Sequence, residues 1–119
     1  MELLHAAAPT GDVEINYYLG SYYFGEREFA EAIPYLHVSA EKMYPDGQCL
    51  YGVALYLQDP DNRDNFPTIQ KALTNAKETC SKIFDKIGGD KLLQYVNTAL
   101  DAKAKGRQTP AYPNISADF

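Results

Sequence analysis

Tryptophan is absent, cysteine and methionine occur twice each, and basic residues are scarce in the first half of this 119-residue chain. No stretch approaches the ~20 consecutive apolar residues of a membrane-spanning helix. The two cysteines, Cys49 and Cys80, form no CxxC and join no Cys/His cluster, which argues against a zinc-binding fold. Each falls on the apolar side of a predicted helix. Buried free thiols in a reducing, intracellular compartment such as the cytoplasm are therefore expected, with a disulfide between neighbouring helices as the alternative. The segment 1–8 carries an acid and no Lys or Arg, and its apolar run is too short for a secretory signal.

The charge is uneven. Residues 1–65 hold 11 acids against 3 bases, whereas residues 66–119 hold 5 acids against 8 bases, giving a net charge of −5 for the chain. Binding to nucleic acid through phosphates needs a concentrated basic surface, which this distribution does not supply. It leaves an acidic front half and a mildly basic back half, for which solvated helix faces are the ordinary explanation.

What is present in abundance is tyrosine, with 10 residues, and a repeat. Leu19-Gly20-Ser21-Tyr22-Tyr23 is echoed by Tyr51-Gly52-Val53-Ala54-Leu55, and the two glycines lie 32 residues apart. A period of that length is the mark of stacked helical hairpins. A helix is expected over 13–24, with Ile15, Tyr18, Leu19, Tyr22 and Tyr23 as a stripe at helical spacing. Tyr18 and Tyr22 are assigned to the core on that basis. Gly20 inside a helix costs ~1 kcal/mol relative to Ala, which points to close approach of a neighbouring helix. After a turn at 25–27, a second helix is expected over 28–43, kinked at Pro34. Tyr44-Pro45-Asp46-Gly47 reads as a turn, and a third helix follows over 48–57. Residues 58–67 read as a polar loop. A fourth helix over 68–87 has the clearest amphipathic period. Gly88-Gly89 closes it, Asp90 serves as an N-cap, and a fifth helix runs over 91–105. Residues 3–8 read as the end of a further helix, and residues 106–119 as an extended or disordered tail. The expected organisation is an all-α repeat domain over 1–105 followed by that tail.

Ala7-Ala8, Gly11-Asp12, Leu19-Gly20 and Tyr23 resemble the Sel1-like branch of the tetratricopeptide repeats. Ala32-Ile33-Pro34-Tyr35-Leu36 is similar to the start of the second helix of a tetratricopeptide unit. The resemblance is best over 6–57 and weakens in the second hairpin, where the long loop has no counterpart in the family. It implies antiparallel hairpins stacked as a short right-handed α-solenoid, and a protein-interaction module, either adaptor or scaffold. The layout is also similar to that of secretion-system chaperones of the same repeat class. The Lys-Asn pair with which some tetratricopeptide domains clamp a chaperone's acidic C-terminus has no match beside Gly20, which is followed by Ser21.

The expected partner-binding surface is a concave, Tyr-rich groove for a peptide or helix, lined by Tyr17, Ser21, Phe24, Leu50 and Ala54. Tyrosine offers large contact area with a polar tip. A basic row on the fourth helix, Lys71, Lys82 and Lys86, lies within about 60° of arc and could meet an acidic segment. The alternative is a structural subunit of a larger assembly, joined to itself or another chain through an uncapped N-terminal edge. A small-ligand binder or an enzyme ranks behind both. His5 and His37 lack carboxylate or thiol neighbours at ligand spacing, so no metal or cofactor is expected. The loop 59–64 fails the calcium pattern at its fifth and sixth positions, 87–91 is no phosphate loop, and no GxSxG nucleophile motif occurs.

Overall fold

The computed structural model describes residues 11–60, 62–78 and 88–104. Among them are five α-helices and no strand: α1 (Val13–Gly25), α2 (Phe29–Glu41), α3 (Pro45–Gln58), α4 (Phe66–Glu78) and α5 (Gly89–Ala104), with a 3₁₀ turn, Arg63–Asn65, before α4. The segments 3–8 and 106–119, Cys80 and the end expected for the fourth helix lie outside the described residues.

Asp12 starts α1 by accepting a 3.0 Å hydrogen bond from the Ile15 N–H, while the buried Asn16 amide donates to the Asp12 carbonyl at 2.8 Å. One of the four N–H groups that a helix start leaves open is thereby satisfied, and the Asn16 side chain ties the cap to the first turn. α1 ends with Arg27 in the left-handed region, at φ 65°, and the Glu28 N–H reaching back to the Tyr23 carbonyl. α2 ends in the same way, with Met43 at φ 63° and the Tyr44 N–H on the Ser39 carbonyl. Glycine usually closes helices of this kind, because it has no Cβ to crowd the following carbonyl.

The α2 helix runs unbroken through Pro34. The 44–47 motif, expected as a turn, instead opens α3: Pro45 occupies the first helical turn, where its missing N–H is not needed, and Asp46 follows beside the helix's positive end. Asp90 likewise is not a cap. It sits in the first turn of α5, and its carboxylate pairs with Lys77 at 3.1 Å.

Each helix packs on the next in sequence. In addition, α1 touches α3 and α3 touches α5. α3 is therefore the central element. Cys49, Leu50, Val53 and Ala54 are fully buried on it, and Tyr56 nearly so. A helix apolar on nearly all sides is satisfied only when surrounded. Phe24, Leu36, Phe66, Ile69, Leu73, Leu92 and Val96 complete the core around it. Tyr95 of α5 meets both Tyr56 and Phe66 edge-on, at 6.0 and 5.9 Å between ring centres. This contact holds three helices together.

Both repeated glycines sit where a neighbouring helix comes close. A Cβ placed on Gly20 would lie 2.5 Å from the Leu36 side chain and 3.2 Å from the Leu36 backbone nitrogen. One placed on Gly52 would lie 3.1 Å from Leu73 Cγ. The close approach expected at Gly20 is present, made by Leu36 of the partner helix in the same hairpin.

Candidate functional site: a tyrosine band and a polar groove

The structure redistributes the expected groove. Phe24, Leu50 and Ala54 are fully buried in the chain's own core, because α3 is enclosed by its neighbours and presents no free inner face. These three offer nothing to a partner. Tyr17 and Ser21 stay half-buried on α1. Tyr18 and Tyr22, expected in the core, are exposed at 60% and 48%. The face that α1 turns inward instead carries Asn16, Leu19, Gly20 and Phe24. Lys71 is exposed on α4, whereas Lys82 and Lys86 lie outside the described residues.

The tyrosines form a band across α1 and its neighbours. Tyr44 lies 4.9 Å from Tyr17 between ring centres, and Tyr17 lies 6.2 Å from Tyr18. Tyr22, one turn beyond Tyr18, meets Tyr23 at 5.3 Å, and Tyr23 stacks on Tyr35 of α2 at 5.8 Å with planes 10° apart. Ser21 donates its hydroxyl to the Tyr18 carbonyl at 3.1 Å, so it adds no free donor to this surface.

Acids flank the band. Asp46 acts on Tyr17, Asp46 and Glu14 act on Tyr44, and Glu31 and Glu28 act on Tyr23. Burial first and these negative charges second push the phenols of Tyr17 and Tyr44 above the usual tyrosine range. They stay neutral donors through the whole physiological range. Neither α1 nor α2 contains a Lys or Arg. Lys42, just past α2, spends its ammonium on the Gly11 carbonyl at 2.6 Å.

A second concavity, about 290 Å³, lies between α2 and α4 with α3 beneath it. α2 contributes His37, Ala40 and Glu41, one helical face at i, i+3 and i+4. α4 contributes Thr68, Lys71, Ala72 and Asn75, again a single face. Gln48 and Tyr51 of α3 lie beneath, and Met43 sits at the edge. His37 Nε2 pairs with Glu41 at 3.1 Å, and its ring lies 5.3 Å from that of Tyr51. Glu41 is thus a carboxylate one helical turn from His37, which corrects the expectation that His37 has no such neighbour. The i, i+4 spacing of His37 and Glu41 was the available signal, and it is common on solvated helices.

No group of His, Cys, Asp and Glu suited to holding a metal ion occurs among the described residues. No described helix is long and apolar enough to cross a membrane. Comparison with known proteins finds no matching family model, no matching curated protein and no matching solved structure.

Proposed function

We propose that this chain is a protein-interaction module, related in design to the tetratricopeptide class, and that its tyrosine band receives a segment of a partner protein. The observation that carries this reading is the exposure of Tyr18 and Tyr22 one turn apart on α1, each at the end of its own run of ring contacts. Large aromatic side chains left in water have a stabilising use when a partner covers them, and tyrosine is enriched at the energetic centres of interfaces.

The flanking charge selects the partner. The band is bordered by Glu14, Glu28, Glu31 and Asp46, with no Lys or Arg on α1 or α2. A segment bearing Arg or Lys gains ion pairs with the border and stacks its cations on the ring faces, each such stack contributing about 0.5–1 kcal/mol at an exposed site. Lys71 lies apart from this surface, on the α4 wall of the groove.

Peptide display selection on the full chain tests the proposal. Selected peptides are expected to carry Arg or Lys beside apolar residues, to lose affinity with added salt, and to bind the Tyr18→Ala/Tyr22→Ala variant at least about tenfold more weakly. Both side chains are exposed, so the variant keeps its helical circular dichroism. Peptides that bind parent and variant equally would overturn the assignment. Self-association of the parent that the same double substitution abolishes would make the band a subunit interface, the structural-subunit reading.

A further inference from the structure

We propose that the groove between α2 and α4 is a separate small-molecule site for a free aliphatic α-amino acid bound as its zwitterion. The walls carry opposite charges. Glu41 stands on the α2 wall and Lys71 on the α4 wall, both lining the same concavity. Glu41 engages His37 through Oε1, so its second oxygen is available to a ligand ammonium. The Lys71 ammonium makes no hydrogen bond or ion pair among the described residues. Thr68 lies on its wall as a further hydroxyl donor toward a carboxylate.

Gln48 supplies an independent observation. Its side chain is 2% exposed, and its carbonyl oxygen is buried with no hydrogen-bond partner. Its amide nitrogen donates to the Met43 sulfur at 3.3 Å, and a thioether is a weak acceptor. A buried amide left this short of partners is destabilising. A ligand ammonium seated beside Gln48 supplies the donor that its carbonyl lacks, while the Met43 sulfur keeps its contact with the amide nitrogen.

Size and lining select the ligand class. A volume of about 290 Å³ sits at the lower end of the roughly 300–1,000 Å³ of small-molecule pockets. Ala40, Ala72 and Met43 provide the apolar contacts, which suits one aliphatic side chain. The Tyr51 ring faces a cation from below, and its phenol, raised by burial and then by Glu41, remains protonated.

Saturation-transfer NMR on the full chain with leucine, isoleucine, valine and methionine tests this, alongside N-acetyl-leucine and leucine amide. At least one free amino acid is expected to saturate in the millimolar range. Blocking either end should weaken it at least about tenfold, the size of one charge-assisted hydrogen bond. Lys71→Gln should weaken the free amino acid and leave leucine amide unchanged, and Glu41→Gln should weaken the free amino acid and leave N-acetyl-leucine unchanged. Both positions are exposed, so folding is retained. The proposal is overturned if none of the four amino acids saturates by about 50 mM, if blocked forms bind as well as free ones, or if both substitutions leave binding unaltered. Tyr18→Ala/Tyr22→Ala is expected to leave this site intact, which separates its failure from that of the tyrosine band.

Discussion

The two hairpins use one device with different tolerances. In the first, Gly20 meets Leu36 across a connection of three residues, 26–28. In the second, Gly52 meets Leu73 across seven, 59–65, which include the 3₁₀ turn. The short connection holds α1 and α2 so closely that even the Leu36 backbone stands within 3.2 Å of a would-be Cβ. With the longer one, the atoms nearest to Gly52 belong to the side chains of Leu73 and Ala72, at 3.1 Å and beyond. Side chains can give way by rotation and backbone cannot, so connection length sets how strictly glycine is required.

Gly20→Ala gives the largest effect. Overpacking against Leu36 should lower stability by about 2–3 kcal/mol despite the ~1 kcal/mol gained in helix propensity. Denaturant unfolding followed by circular dichroism measures it, and a loss no larger than that of Gly52→Ala would break the comparison.

Alkali comes next. The phenols of Tyr17 in the first hairpin, Tyr44 at the start of α3 and Tyr51 on α3 are all raised in the fold, mainly by burial. The unfolded chain ionises first, near pH 10, so it binds fewer protons than the folded chain above that point. The stability these phenols support is fully present below about pH 10 and is lost as pH rises through their folded values. Melting at pH 8 and pH 11 should show the drop, and Tyr17→Phe should reduce it more than Tyr51→Phe.

Gly52→Ala should fall within about 1 kcal/mol of the parent, because contact with Leu73 and helix propensity oppose each other. A loss as large as that of Gly20→Ala would show the second hairpin to be as rigid as the first. The smallest change is a gain. Arg27→Gly relieves a left-handed non-glycine residue and should raise stability by about 0.5–1 kcal/mol, read as a shift in denaturant midpoint, whereas Met43→Gly also strips the buried Gln48 amide of its sulfur acceptor and should gain less.

Helical content, the close approach at Gly20 and the amphipathic face of α4 were legible in the sequence, because each rests on local spacing. Ile69, Ala72, Leu73 and Ala76 recur at helical period, and all are buried. The inward face of α1 was not legible. Its tyrosines and other apolar residues surround the helix, so periodicity cannot choose between Tyr18 and Phe24. Only the positions of α2 and α3 decide, and they bury Phe24. The expected groove failed at Leu50 and Ala54 for a related reason: α3 is enclosed from several sides, which spacing along one helix does not reveal. The polar groove joins His37 and Glu41 to Lys71 across a third helix, a relation with no trace in sequence distance.

The order of packing has a kinetic consequence. Because each helix rests mainly on its sequence neighbour, the chain closes only short loops as it folds. Such chains collapse rapidly and do not wait for distant segments to find one another. A nascent chain can pair α1 with α2, locking Gly20 under Leu36, before α4 has been synthesised. On this view the stricter of the two glycine contacts is also the first that synthesis makes available.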